Sequence, residues 1–160
     1  NPIGDCTSKG YSYTIHSGQS RELFDRHTVT QVWDTLNPQA MHEAAQRLLG
    51  EHDFAAFAAA GHGRQSTVRT IFDCQVHDLG PPPSWRFATP DPTARRIRID
   101  ISGNGFLYNM VRIIAGTLCQ VGRGRMTPDD VTKAIQSLDR RNAGPTMPAQ
   151  GLCLDWVKYG

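Results

Sequence analysis

The segment GNGFLYNMVRIIAGTL, residues 103–118, constrains this chain more than any other. Leu107, Met110, Val111, Ile114, Leu118 and Val121 form one helical stripe, and Tyr108, Ile113, Ala115 and Cys119 fill much of the remaining surface. A helix that is apolar nearly all round has to be buried. It therefore needs a sheet or other helices to cover it. One cation, Arg112, interrupts it. A buried guanidinium keeps its charge, so it needs an anion or a route by which its head reaches water. Positions three and four residues away hold Tyr108, Asn109, Ala115 and Gly116, none of them acidic. The anion is distant in sequence or outside the chain.

The covering sheet is visible in the alternation of the flanking segments. RRIRIDI, residues 95–101, sets Ile97, Ile99 and Ile101 on one face and Arg96, Arg98 and Asp100 on the other. YSYTI places Tyr11, Tyr13 and Ile15 together, opposite Ser12, Thr14 and His16. STVRTIFDCQVHDL predicts a long strand with Val68, Thr70, Phe72, Cys74 and Val76 sharing a face, paired as a hairpin over 67–101. LCLDWVKY predicts a last strand at 152–159. Asn37 and Pro38 open a helix that Gly50 closes, with Met41, Ala44, Ala45, Leu48 and Leu49 as its apolar stripe. Thr127 and Pro128 open another, carrying Val131, Ala134, Ile135 and Leu138. Residues 17–36 give no clear pattern. Residues 79–93 hold five prolines and predict an exposed loop, mobile at its tip. The expected fold is α+β, one domain over 1–160, with a mainly antiparallel sheet and helices packed on one face.

The chemistry is narrowed mostly by exclusion. Six histidines make no H-x-x-x-H pair and none sits near a cysteine in zinc-site spacing, so no metal is expected. Cys6, Cys74, Cys119 and Cys153 are widely spaced, which favours reduced core thiols in a cytoplasmic protein. No G-x-S-x-G elbow is present. Gly103-Asn104-Gly105 precedes a helix but fails the G-x-G-x-x-G pattern at Tyr108, so it reads as a tight turn in which Asn104 or Ser102 caps the helix. No apolar run is long enough to span a membrane. Residues 1–80 carry 6 Lys/Arg against 9 Asp/Glu, and residues 81–160 carry 11 against 6. That basic second half suits a phosphate or nucleic-acid partner, and equally a solvated basic face.

SKGYSYTI, LLGEHDFAAF, STVRTI, ISGNGFLYNMVRIIAGTL, VGRGRMTPDDV and PAQGLCL occur in this order. Together they resemble the C-terminal half of TruA-type tRNA pseudouridine synthases, across nearly the whole chain except 79–93. The resemblance implies isomerisation of uridine to pseudouridine in the anticodon stem-loop of tRNA, without metal or organic cofactor, by a cytoplasmic homodimer that holds one tRNA across two subunits. An aspartate attacks the target nucleotide, the glycosidic bond breaks, and the uracil turns and is rejoined through carbon. The target leaves the base stack first, as for other base-modifying enzymes. By resemblance, Tyr11 contacts the flipped base and assists removal of its C5 proton. Arg112 pairs with the catalytic aspartate, and Leu152 packs on the uracil ring. Arg69, Asn104, Arg123 and Arg125 are expected to touch RNA or shape the cleft.

The family's nucleophile lies in an Arg-x-Asp-x-Gly-Val-His motif of its N-terminal half, and neither FDRHTV nor IDISGNG fits that motif. The chain also lacks an initiator Met. It is therefore expected to be part of a longer enzyme, inactive alone, with the anion for Arg112 contributed by the other part. The rival reading is a non-catalytic RNA-binding module whose basic half makes salt-sensitive phosphate contacts.

Overall fold

Alternating isoleucines make the middle of the fold. In the computed structural model, which describes residues 6–59, 66–83 and 91–160, Ile97, Ile99 and Ile101 lie fully inside. In chain order the elements are β1 (Cys6–Ser17), β2 (Thr30–Val32), α1 (Pro38–Ala45), β3 (Gly50–Asp53), β4 (Val68–Asp78), β5 (Arg95–Gly103), α2 (Met110–Gly122), α3 (Pro128–Ser137) and β6 (Leu152–Tyr159). The strands form one six-stranded sheet. β3, β4, β5 and β1 run antiparallel in that order. The outer edge of β1 is then shared: β2 pairs parallel along Ile15–Ser17, and β6 pairs antiparallel along Cys6–Tyr13. Tyr13, Ile15, Ile71, Cys74 and the three β5 isoleucines meet Met110, Ile113, Ile114 and Leu118 of α2 in one core. α1 packs against β4 and α2, and α3 packs against α1. The α+β fold with helices covering one sheet face is as the sequence predicts. Among the described residues no helix is long and apolar enough to cross a membrane.

Local signals held where caps are strong. Asn37 accepts from the Ala40 N–H, and Thr127 and Asp130 form a reciprocal capping box. They failed where geometry broke the period. In β4 the register slips between Ile71 and Asp73, so Ile71 and Cys74 point inward while Phe72 is 54% exposed. Such a bulge puts two residues against one and shifts every later side chain to the other face. Leu138 leaves the α3 stripe because it adopts the left-handed conformation that ends the helix, φ 58°, and it is 53% exposed. α1 stops at Ala45 and tightens into a 3₁₀ turn at Gln46–Leu48 before Gly50. α2 begins at Met110 rather than Leu107, and neither Ser102 nor Asn104 caps it. All four cysteines are free, yet only Cys74 and Cys119 belong to the core, because Cys6 is half-buried and Cys153 is exposed on β6. Residues 17–36 contain the short β2, whose pairing adds only three residues to the edge of β1. The expected mobile tip of the proline-rich loop falls on 84–90, outside the described residues.

Candidate active site

Arg112 is the third residue of α2 and is half-buried. Its Nε donates to the Met147 carbonyl at 2.7 Å, and its Nη1 donates to Asn109 Oδ1 at 3.2 Å. Both acceptors are neutral. Among the described residues no carboxylate pairs with Arg112 and its Nη2 has no acceptor. Asn109 makes this possible by its backbone. It sits at φ 61°, a left-handed conformation that asparagine tolerates better than most residues, and its side chain does not cap α2. The amide oxygen is left to hold the guanidinium.

Tyr11 lies on β1, half-buried, its ring meeting Phe106 edge-on at 5.2 Å and 84°. Its hydroxyl has no hydrogen-bond partner among the described residues. Burial first, and Cys6 second, push the phenol above its ordinary value of 10.0, so it is protonated at neutral pH. Leu152 opens β6 directly opposite Tyr13 on β1. Lys9, Tyr11, Phe106, Asn109, Arg112 and Leu152 line one cleft of about 340 Å³. It offers an aromatic and an aliphatic wall with a cation whose free edge is uncommitted. A flat ring fits between such walls, and a carboxylate suits the cation.

A larger concavity, about 520 Å³, lies on the sheet face away from the helices, lined by Ser12, Asp73, Arg98, Asp100, Asp155 and Trp156. Its charges are already satisfied: Asp100 receives Arg98 at 3.1 Å and His77 at 3.0 Å, and Asp155 receives the Ser12 hydroxyl at 3.1 Å. Among the described residues no three His, Cys, Asp or Glu side chains converge as metal ligands.

A family model described as tRNA pseudouridine synthase matches residues 44–160. A tRNA pseudouridine synthase A of Geobacter sulfurreducens is 40% identical over 99% of the chain and 59% of that relative. One from Clostridium acetobutylicum is 39% identical over 97% of the chain and 58% of that relative. One from Bacillus velezensis is 40% identical over 96% of the chain and 57% of that relative. The chain belongs to the tRNA pseudouridine synthase family. It spans somewhat under three fifths of the length of the curated relatives it matches.

The remaining residues singled out by resemblance to this synthase family fall into two groups. Arg69 and Asn104 line a second hollow of about 330 Å³, which shares Lys9 and Phe106 with the Arg112 cleft. Asn104 latches the two central strands there: its Oδ1 accepts from Thr70 N at 2.9 Å, and its own N–H donates to Thr70 O at 3.0 Å. Arg123 and Arg125 lie beyond the other end of α2, and Arg123 is about 16 Å from Arg112 along the helix axis. Arg123 pairs with Asp34 at 2.6 Å, and Arg125 is exposed. They do not line the cleft.

Sequence reasoning gave no role to Lys9, Phe106, Asn109 or Met147. Lys9 was findable, since it precedes Tyr11 by two on the same strand and so shares its face. The Met147 carbonyl was not, because it acts through its backbone and lies in a loop.

Proposed function

We propose that this chain is the base-handling, C-terminal part of an enzyme that isomerises uridine to pseudouridine in the anticodon stem-loop of tRNA. Arg112 receives the carboxylate of an aspartate on another segment of the enzyme and keeps it ionised, since an adjacent cation lowers a carboxyl pKa. That carboxylate attacks the extruded nucleotide. The C1′–N1 bond breaks, the uracil turns against Leu152 and the Tyr11 ring, and a C1′–C5 bond forms as the bond between the carboxylate and the nucleotide breaks, which returns the aspartate ionised. The C5 proton then leaves and N1 gains one, so the product has the substrate's composition. Tyr11, protonated at rest, serves as a relay that accepts the C5 proton while releasing its own to solvent. No cofactor enters this balance. Lys9, Arg69 and Asn104 extend the site along a neighbouring hollow where RNA backbone can lie. Arg123 and Arg125 meet phosphates outside the cleft, and the working enzyme is a homodimer.

One observation carries this reading: a half-buried guanidinium held by two neutral oxygens, its free edge in a cleft with Tyr11 and Leu152. The test compares this chain alone with the complete enzyme on an anticodon-arm RNA labelled with tritium at uridine C5. Release of tritium by the complete enzyme but not by the isolated chain is expected. Release by the isolated chain would overturn the role of the external aspartate. RNA binding without release by the complete enzyme would favour a non-catalytic module.

A further inference from the structure

Arg112 is held by a loop, residues 144–151, which runs from the end of a 3₁₀ turn to the start of β6. Arg140 donates to the Gly144 carbonyl at 2.7 Å and to the Thr146 hydroxyl at 3.2 Å, and Gln150 donates to the Val29 carbonyl at 3.4 Å, all outside the cleft. The other ties bear on the cleft. The Gly144 N–H donates to the Thr117 hydroxyl at 2.8 Å, a buried bond, while that hydroxyl donates to the Ile113 carbonyl at 2.8 Å. Met147 and Arg112 exchange two bonds: Met147 N–H to the Arg112 carbonyl at 3.2 Å, and Arg112 Nε to the Met147 carbonyl at 2.7 Å. The Pro148 carbonyl accepts from the Tyr13 hydroxyl at 2.5 Å. The next residue after the loop is Leu152, the apolar wall of the cleft.

The approach to α2 is close because the facing residues are small. A methyl group added at Gly116 would lie 1.8 Å from the Pro145 carbonyl oxygen. One added at Gly144 would lie 2.6 Å from the Thr117 nitrogen. Backbone therefore rests on backbone, and Thr117 is the buried side chain that sets the height of the contact.

We infer that Thr117 is a positioning residue: through Gly144 it seats the 144–151 strap on α2, and the strap's Met147 carbonyl turns Arg112 so that its free edge faces the cleft. Without the hydroxyl, the Gly144 N–H is buried and unpaired, which costs enough to lift the strap locally. Met147 then moves from Arg112 and Leu152 moves with it. An error of about 1 Å in a group that orients reactants costs on the order of 100-fold in rate. The consequence for rate rests on the isomerase reading above, whereas the consequence for Arg112 does not.

The test uses the complete enzyme with Thr117→Val, which keeps the shape and removes the hydroxyl, and Thr117→Ser, which keeps the hydroxyl. The first readout is the ¹⁵N-resolved Nε–H signal of Arg112, assigned by its disappearance in Arg112→Lys. It is expected to exchange slowly with water in wild type and Thr117→Ser, and rapidly in Thr117→Val. Equal protection in all three would overturn the strap. The second readout is tritium release from uridine C5. We expect kcat to fall roughly 10- to 100-fold in Thr117→Val with KM for RNA little changed, and to be retained in Thr117→Ser. A fall in KM-dependent binding alone, or an equal loss in both variants, would overturn the positioning role. If the wild-type enzyme releases no tritium, the isomerase reading fails while the Nε–H comparison still decides the strap.

Discussion

The guanidinium of Arg112 donates Nε–H to the carbonyl of Met147, 35 residues later in the chain, at 2.7 Å. This bond, with the one to Asn109, fixes the guanidinium without neutralising it. A half-buried charge oriented by neutral oxygens is stabilised further by a carboxylate that reaches it, which is the basis for proposing an aspartate as its partner.

Gly116→Ala should be among the most destabilising single changes on α2. Its new methyl would meet the Pro145 carbonyl oxygen at 1.8 Å, and that oxygen belongs to the backbone, which cannot rotate away. Overpacking of this kind costs about 3 kcal/mol. Urea denaturation of the variant beside Lys133→Ala, an exposed position on α3, should give that loss against a change within about 0.5 kcal/mol.

The two β1 tyrosines should separate stability from activity. Tyr13 is fully buried, its hydroxyl sharing a bond with Thr30 at 2.6 Å and donating to Pro148 at 2.5 Å, and burial pushes its phenol up to about 12. Tyr13→Phe removes the partner of both the Thr30 hydroxyl and the Pro148 carbonyl and should cost about 1–3 kcal/mol in thermal denaturation. Tyr11→Phe removes a hydroxyl with no partner among the described residues and should change stability by less than about 0.5 kcal/mol. Its effect should appear in tritium release from uridine C5.

His16 should make the fold acid-sensitive. It is fully buried, and burial is the main cause holding its pKa below the ordinary 6.5. Arg96 lowers it further, while the Ser20 carbonyl, Glu22 and Asp91 oppose the shift. Below pH 6.5 the unfolded chain binds a proton that the folded chain refuses, so stability falls as pH falls, until the folded state also protonates. Unfolding free energy measured between pH 7.5 and 5.5 should decline in wild type and decline less in His16→Gln. These are assay conditions spanning about one unit either side of the ordinary histidine value.

The parts of the fold written in side-chain periodicity were legible. Ile97, Ile99 and Ile101 announced β5, and Thr127 with Pro128 announced α3. What was hidden depends on backbone geometry. The β4 bulge reversed Phe72, and the left-handed turn at Leu138 took it off its stripe. The anomaly of Arg112 could be read, because a charge in an apolar helix is visible in composition alone. Its holders could not be read. Asn109 serves through an unusual φ, and Met147 serves through a carbonyl that no side-chain pattern records. The distance of Arg123 and Arg125 from the cleft follows from their place past the far end of α2.

The most direct test of the central claim is tritium release from uridine C5 of an anticodon-arm RNA by the complete enzyme carrying Arg112→Ala. Removing an oriented charge from a reacting site costs about 100- to 1000-fold in rate. We expect a loss of that size with RNA affinity and folding retained. Turnover at the wild-type rate would contradict it.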